Sequence, residues 1–297
     1  MQSRYFILKI GCQITLSDGR KLGYASYCYG TPQRTILVFP GLPGSRLFNF
    51  NNWARPSWNC QMYVLERPGL GISSYRAHKS FVNWADDVKE FMDQLQIYRT
   101  SIIGYSAGGP YALAVCHKLS HKIDRAAIIS SISPRKGLRN QYDLMPFNFK
   151  LAWFCAEYLP IAISWATASE QRDILIDAVK SHHDSVSIFA QCDHQMLLSP
   201  AVEQLFCESG MELASRNQSD AIAYEYSLYG KPWGFELNGI PPHLVGIWHG
   251  TLDAGTTIAM GKLLADSIGC ESHFIEGKGH MLIFEIIDDV VEWINQA

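Results

Sequence analysis

The sequence predicts an α/β fold: a mostly parallel β-sheet flanked by helices, with a helical cap inserted after the sixth strand. Short apolar runs alternate with amphipathic helical segments at both ends of the chain, which is typical of a parallel α/β sheet. The apolar runs lack strict polar alternation, as expected of strands that are buried on both faces. Between residues 134 and 239 this rhythm stops, and segments rich in aromatic residues replace it.

The sheet is predicted to begin with an antiparallel hairpin, because residues 5–29 alternate apolar and polar side chains around the turn Ser17-Asp18-Gly19-Arg20. Buried strands are predicted at residues 35–39, 61–65, 100–104, 123–130 and 243–248, and a further strand at residues 271–275. Helices are predicted at residues 80–96, 107–119, 257–268 and 282–294, the first of them with Ser80 as its N-cap.

The insertion divides the chain into a core domain at residues 1–134 and 240–297 and a cap at residues 135–239. The stretch at residues 151–168 is apolar, but it contains Glu157 and Pro160, which favours a buried or interfacial helix over a membrane span. Most large apolar side chains of the insertion are expected to form its own core; they are Tyr142, Met145, Phe147, Phe149, Trp153, Phe154, Tyr158 and Trp165.

The composition indicates a globular protein that acts on a small-molecule substrate. Of 297 residues, 47% are hydrophobic and 18% are charged, and the formal net charge is -3. Lysines and arginines are scattered singly, so no nucleic-acid partner is expected. The eight cysteines form no Cys-x-x-Cys pair, which favours reduced thiols over disulfides or a zinc site. We expect a cytoplasmic location, with no signal peptide, transmembrane segment, metal or cofactor.

A run of small residues around Ser106 is the first feature that indicates catalytic chemistry. Gly104-Tyr105-Ser106-Ala107-Gly108 fits the pattern Gly-x-Ser-x-Gly, with an apolar strand before it and a helical segment after it. This strand, tight turn and helix arrangement is that of a nucleophile elbow, which exposes a serine at the C-terminal edge of a sheet. Gly104 and Gly108 meet the need for small residues where strand and helix pack closely. The alternative is an incidental serine in a glycine-rich turn.

Both outer parts of the chain resemble the α/β-hydrolase superfamily, whose characteristic loops occur here in the family's order, whereas the insertion has no match. The run Phe39-Pro40-Gly41-Leu42-Pro43-Gly44-Ser45 resembles the family's loop after the third strand, and Glu66-Arg67-Pro68-Gly69-Leu70-Gly71-Ile72-Ser73 resembles the segment after the fourth. The loops that carry the acid and the base resemble His249-Gly250-Thr251-Leu252-Asp253 and Gly277-Lys278-Gly279-His280, respectively.

This resemblance implies a catalytic triad of Ser106, Asp253 and His280, in the family's chain order of nucleophile, acid and base. His280 would accept the serine proton, and Asp253 would orient the imidazole and stabilise the imidazolium. The backbone N–H groups of Leu42 and Ala107 are the implied donors to the oxyanion.

Other titratable residues compete for these roles. His249 precedes Asp253, so chain order favours His280 as the base and gives His249 a structural place in the acid loop. Four carboxylates close to His280 in sequence are better interpreted as solvated surface charge; they are Glu276, Glu285, Asp288 and Asp289.

The chain also departs from the family pattern. Pro40 stands where the family commonly has histidine, Glu66 replaces an aspartate, and no proline follows Asp253. Arg67, beside Glu66, is interpreted as a structural ion-pair partner. Gly69-Leu70-Gly71 lacks the third glycine of a dinucleotide-binding site. Four possible ligands in the insertion match no familiar metal spacing; they are His182, His183, Cys192 and His194.

Two functions from different classes fit these residues. The first is a serine hydrolase that cleaves a small, largely apolar carboxylic ester or related acyl substrate through an acyl-enzyme intermediate. The second is a small-molecule-binding protein on a hydrolase scaffold with weak or no turnover. Within the enzyme class, peptidases, lactonases, carbon–carbon hydrolases and perhydrolases of this fold use similar triads, and sequence spacing does not separate them.

Overall fold

The structure is a computed structural model that describes residues 6–135 and 147–296, whose eight strands form one sheet. The strands are β1 (Phe6–Thr15), β2 (Lys21–Tyr29), β3 (Arg34–Phe39), β4 (Cys60–Leu65), β5 (Thr100–Tyr105), β6 (Ile123–Ile129), β7 (Val245–Gly250) and β8 (Glu271–Ile275). Their order is β1-β2-β4-β3-β5-β6-β7-β8. Only the pairs formed by β2 are antiparallel, so the predicted mostly parallel sheet and its N-terminal hairpin are confirmed.

The described residues form ten helices, of which four flank the sheet and six lie between β6 and β7. They are α1 (Val82–Gln94), α2 (Gly109–Leu119), α3 (Phe147–Tyr158), α4 (Pro160–Ile176), α5 (Ala178–Val186), α6 (Gln191–Leu197), α7 (Pro200–Ala214), α8 (Ser219–Tyr229), α9 (Ile258–Ile268) and α10 (Ile283–Asn295). Leu37 and Phe39 of β3 join the core under α1, α2 and α9, whereas Ile36 and Val38 join the core under α10. Burial on both faces explains why the strand sequences are continuously apolar.

The first helix begins later than predicted. α1 starts at Val82, and Phe81 before it is already helical and makes no side-chain capping bond, so the prediction of Ser80 as the N-cap is wrong. Phe81 is buried and packs edge-on against Tyr111 and Trp233. This long-range packing fixes the start of the helix. A capping preference depends only on the local sequence, so it could not predict the packing of Phe81.

The chain order of the sheet brings two loops together. From β3 the chain moves to β4 on one side and then returns to β5 on the other side of β3. Open α/β sheets bind ligands at such a switch point, outside the carboxyl ends of the strands. Because Phe39 pairs with Gly104, the loop that follows β3 lies beside the turn that contains Ser106.

The helices between β6 and β7 form the predicted helical insertion, which packs around α4 and its neighbours α7 and α8. Small and aliphatic side chains fill it, among them Ala156, Ile163 and Ala223. A second set, with Val202 and Leu205 of α7, joins the core of the sheet. Tyr142 and Met145 lie outside the described residues. The exact domain bounds stay a prediction.

The expectation that the large aromatic residues form the insertion's own core is wrong for four of them. Phe147, Phe154, Tyr158 and Trp165 are between 48% and 77% exposed, because the faces of α3 and α4 that carry them turn outward. Pro160 begins α4, so the apolar stretch at residues 151–168 is divided between two helices. Among the described helices, none has the length and hydropathy needed to cross a membrane.

Candidate active site

Ser106 sits in a sharp turn at the carboxyl end of β5. It is the first residue of the 3₁₀ turn Ser106–Gly108, which leads directly into α2. Its φ is 53°, in the left-handed region that residues with a Cβ atom rarely adopt, so the backbone is strained there. The side chain is 9% exposed. Ser106 is therefore almost completely buried.

The glycines around Ser106 make this turn sterically feasible. A Cβ atom on Gly104 would lie 2.7 Å from the Cβ atom of Ala112 on α2. On Gly108 it would collide with the carbonyl oxygen of Phe39, and on Gly109 with the hydroxyl of Ser131. The sequence predicted this requirement for Gly104 and Gly108. It did not identify Gly109, because Ser131 follows another strand.

His280 lies opposite Ser106, in the loop after β8. Its Nε2 atom is 3.0 Å from Ser106 Oγ, and its Nδ1 atom is 2.8 Å from Oδ2 of Asp253. Burial alone would lower the pKa of His280, but the charge and hydrogen bond of Asp253 outweigh it and raise the pKa above its usual value. The predicted nucleophile, base and acid therefore form one continuous line of hydrogen-bonding distances.

Asp253 is held by its own loop, which follows β7. Its Oδ1 atom accepts hydrogen bonds of 2.9 Å from the N–H groups of Gly255 and Thr256, and its Oδ2 atom lies 2.9 Å from the Thr256 hydroxyl. Burial would raise the pKa of this carboxyl, but the charge and hydrogen bond of His280, with smaller contributions from His249 and the Thr256 hydroxyl, lower it below its usual value. The donors stabilise the ionised form, which is the form that can orient His280.

His249 belongs to the same loop in a different way. It is fully buried, and its Nε2 atom lies 2.5 Å from the carbonyl oxygen of Thr256 and 3.6 Å from Oδ2 of Asp253. Burial lowers the pKa of His249, which favours the neutral imidazole. These contacts match the structural place predicted for it, and His280 is the histidine at hydrogen-bonding distance from Ser106.

The loop after β3 is held against Ser106 by a buried arginine. A Cβ atom on Gly41 would lie 3.2 Å from the Cβ atom of Ser106, so the two backbones are in close contact. Arg67 donates from Nη1 to the carbonyl oxygen of Pro40 at 2.5 Å and from Nη2 to that of Gly41 at 2.8 Å. Arg67 thus anchors the loop where the family commonly has a histidine in place of Pro40. Leu42 follows directly.

One carboxylate of the insertion neutralises this arginine. Glu225 of α8 lies 2.6 Å from Arg67 Nε, and both side chains are buried. The Tyr229 hydroxyl lies 2.6 Å from Glu225 Oε1 and 3.2 Å from the carbonyl oxygen of Ala107. The charge of Glu225 raises the pKa of Arg67 against the effect of burial. Both predicted oxyanion segments, at Leu42 and Ala107, are therefore connected to Glu225.

The residues considered for a metal site contact protein groups. Nε2 of His182 lies 2.9 Å from the carbonyl oxygen of Leu197, and Nε2 of His183 lies 2.5 Å from a carboxylate oxygen of Glu203. Nε2 of His194 lies 3.2 Å from a backbone carbonyl oxygen. In the part of the chain that the structure describes, no cluster of at least three ligand-type side chains could hold a metal ion.

Comparisons with known proteins give a consistent result for the fold. The family model described as "alpha/beta hydrolase fold" matches residues 34–160. A bromoperoxidase from Bacillus anthracis superposes with a TM-score of 0.68 and 16% identity, over 97% of this chain and 100% of that one. An esterase from Exiguobacterium antarcticum gives 0.64 and 16%, over 96% and 98%. An enol-lactonase from Burkholderia xenovorans gives 0.63 and 18%, over 96% and 98%.

The chain has the α/β-hydrolase fold. The fold implied by the resemblance of its loops is thereby confirmed. No curated protein sequence matches this chain significantly. The roles of the individual site residues stay predictions.

The sequence did not predict several residues of the candidate site. Arg67 is an ion-pair residue as expected, but its carboxylate partner is Glu225, whereas Glu66 pairs with Arg46 at 2.7 Å. No sequence motif predicted the contact of Thr256 with Asp253. Nor did a motif predict Asp193 of α6, whose carboxylate binds the backbone of the His280 loop. These contacts join distant parts of the chain, and spacing alone does not reveal them.

Proposed function

We propose that this protein is a serine hydrolase that cleaves a small, largely apolar carboxylic ester through an acyl-enzyme intermediate. The observation that carries the proposal is the line from Ser106 Oγ to His280 Nε2, 3.0 Å, and from His280 Nδ1 to Asp253 Oδ2, 2.8 Å. A nucleophile within hydrogen-bonding reach of a base, itself oriented by a third group, is the geometry that activates a serine hydroxyl.

In the first half of the reaction, Ser106 Oγ attacks the ester carbonyl carbon while His280 Nε2 takes the hydroxyl proton. The carbonyl oxygen becomes an oxyanion, and the N–H groups of Ala107 and Leu42 are the proposed donors to it. Asp253 accepts the Nδ1–H of His280 and stabilises the imidazolium. The imidazolium then protonates the departing alkoxide, so an alcohol leaves and the acyl group stays on Ser106.

In the second half, water attacks the acyl carbon and His280 takes one of its protons. Collapse of the second tetrahedral intermediate breaks the bond to Ser106 Oγ, which regains a proton from His280. The products are a carboxylic acid and the free enzyme. The scheme needs no second proton-transfer residue, because His280 receives and returns the proton in each half.

An apolar substrate is supported by the side chains that face the site. The ring of Phe189, between α5 and α6, stacks near the His280 imidazole with centroids 6.0 Å apart. Leu42 is half-buried and packs against the core beside the elbow. Such surroundings favour an uncharged acyl group over a charged one. Two of the similar structures are named an esterase and an enol-lactonase, which accords with attack on an ester bond.

Hydrolysis of p-nitrophenyl esters of increasing acyl length, run with the parent protein and Ser106→Ala, tests the proposal. We expect turnover of short acyl chains, with a loss of at least about 10,000-fold in kcat for Ser106→Ala. An equal rate for the two proteins would contradict the proposal. Saturable ligand binding without turnover would favour the binding-protein alternative.

A further inference from the structure

Asp193 connects the insertion to the loop that carries His280. It lies on α6, and its Oδ2 atom accepts the N–H of His280 at 2.9 Å while its Oδ1 atom accepts the N–H of Met281 at 2.8 Å. The residue is 3% exposed. Both carboxylate oxygens are thus used on the two consecutive backbone N–H groups at and directly after the proposed base.

These N–H groups open a helical segment. The 3₁₀ turn His280–Leu282 runs into α10, and the first N–H groups of such a segment have no partner within it. They also form its positive end, where a carboxylate is stabilised. The neighbouring Gly279 leaves the space that this requires, because a Cβ atom there would collide with the Asp193 carboxylate. The φ of Gly279 is −110°, which any residue can adopt, so glycine is required because a side chain would not fit there.

The two carboxylates near His280 have separate tasks. Asp253 contacts the ring at Nδ1, whereas Asp193 contacts only the backbone of the residue. Two further titratable groups lie close to His280: His249, whose pKa burial lowers, and Tyr105, whose hydroxyl donates to the carbonyl oxygen of His280 at 3.2 Å. Burial raises the pKa of Tyr105 well above its usual value. Asp193 is therefore the second anionic group that acts on the proposed base.

We propose that Asp193 is a positioning residue: it fixes the backbone of His280 so that Nε2 faces Ser106, and its charge favours the imidazolium that forms during the reaction. This role rests on the proposed serine-hydrolase function. If Asp193 has this role, His280 can act as the base only when α6 of the insertion is packed in its native position. The charge of Asp193 also contributes, after that of Asp253, to the raised pKa of His280.

The variant Asp193→Asn tests both parts of this role. The substitution keeps the shape but replaces one acceptor with an NH₂ group and removes the charge. We expect kcat for p-nitrophenyl acetate to fall by about 100-fold, as for a small displacement of a catalytic group. Without the charge the imidazolium is less favoured, so the pKa of His280 falls and the acid limb of kcat/KM moves to lower pH.

The control is Asp184→Asn, which removes an exposed carboxylate of α5 that pairs with Lys180. It should leave kcat and the acid limb unchanged. A folded Asp193→Asn protein with an unmoved acid limb would overturn the proposal even if kcat fell, because a structural role alone lowers the rate without changing the protonation of His280.

If Asp193→Asn does not fold, Gly279→Ala supplies the test, since its Cβ atom displaces the carboxylate without changing its charge. We expect the same loss of kcat. A folded Gly279→Ala protein that keeps the kcat of the parent protein would overturn the proposal.

An NMR titration of the histidine ring separates this inference from the proposed function. The His280 resonance is assigned by its absence in His280→Gln. If the parent protein hydrolyses no ester, the proposed function fails, but the effect of Asp193 on His280 is still measurable. A lower pKa of His280 in Asp193→Asn supports the electrostatic role, and an unchanged pKa refutes it.

Discussion

At the scale of single residues, strain and charge are concentrated at three positions. Ser106 holds a left-handed backbone conformation at φ 53° that nearby glycines make sterically feasible. Asp253 is a buried carboxylate kept ionised by four hydrogen-bonding groups, and His280 is a buried imidazole whose proton affinity that carboxylate increases. Each arrangement is unfavourable by itself. Together they fit the proposed transfer of the Ser106 hydroxyl proton to His280.

The strain at Ser106 has a measurable consequence for stability. Ser106→Gly should have a free energy of unfolding about 1 kcal/mol higher than Ser106→Ala, because glycine adopts positive φ without a Cβ clash. Urea denaturation of the two inactive variants measures the difference. At the exposed helical position Gln204 the order should reverse, with glycine less stable than alanine. A more stable alanine variant at Ser106 would contradict the strained backbone.

The protonation of His280 should control the pH dependence of turnover. Since a base must be neutral, kcat/KM should fall as pH drops through the pKa of His280, which Asp253 raises above the usual value of about 6.5. Asp253→Asn should move this acid limb to lower pH and reduce kcat by about 10,000-fold. Ester hydrolysis across a pH series measures both. An acid limb in the parent protein below the usual histidine value would speak against this assignment.

At the scale of secondary-structure elements, the site follows from how β3, β5, β7 and β8 end at one edge of the sheet. Periodicity predicted these strands, because burial on both faces leaves a continuous apolar run in the sequence. The start of α1 was not predicted, because the packing of Phe81 decides it. Asp193 and Glu225 were not predicted either, since both lie on insertion helices whose contacts with the core leave no periodic pattern.

The buried ion pair of Glu225 and Arg67, which joins α8 to the loop after β3, can be tested by mutation. Glu225→Gln leaves the buried Arg67 without its counter-charge, so the free energy of unfolding should fall by about 3 kcal/mol. kcat should fall as well, because Arg67 holds the carbonyl groups of Pro40 and Gly41. Urea denaturation and ester turnover are measured against Asp184→Asn, an exposed carboxylate whose loss should change neither. Equal stability of the two variants would exclude the buried pair as an anchor.

At the scale of the whole molecule, the insertion and the core share the site. Asp193 reaches the backbone of His280, and Glu225 reaches the arginine that holds the loop beside Ser106. Val202 and Leu205 of α7 also lie in the core cluster under α10. A cap that only covered the pocket would not need buried charges at these two points. The insertion is therefore part of the structure that positions the proposed triad.

Shared burial predicts that the insertion and the sheet unfold together. Tryptophan fluorescence reports on Trp153 and Trp165 of the insertion as well as on Trp84 and Trp248 of the core, and far-UV circular dichroism reports on all helices. In urea the two signals should change in one coincident transition. Two separate transitions, the first with the loss of more than half of the helical signal, would indicate an insertion that unfolds independently, because α3–α8 hold most of the described helical residues.

The central claim, that Ser106 is a nucleophile activated by His280, is tested most directly by labelling with a fluorophosphonate probe followed by mass spectrometry. We expect one adduct, on Ser106, with none in Ser106→Ala and much slower labelling in His280→Gln. Circular dichroism of each variant confirms that it is folded. A folded parent protein that stays unlabelled, or that carries the adduct on another residue, would contradict the account.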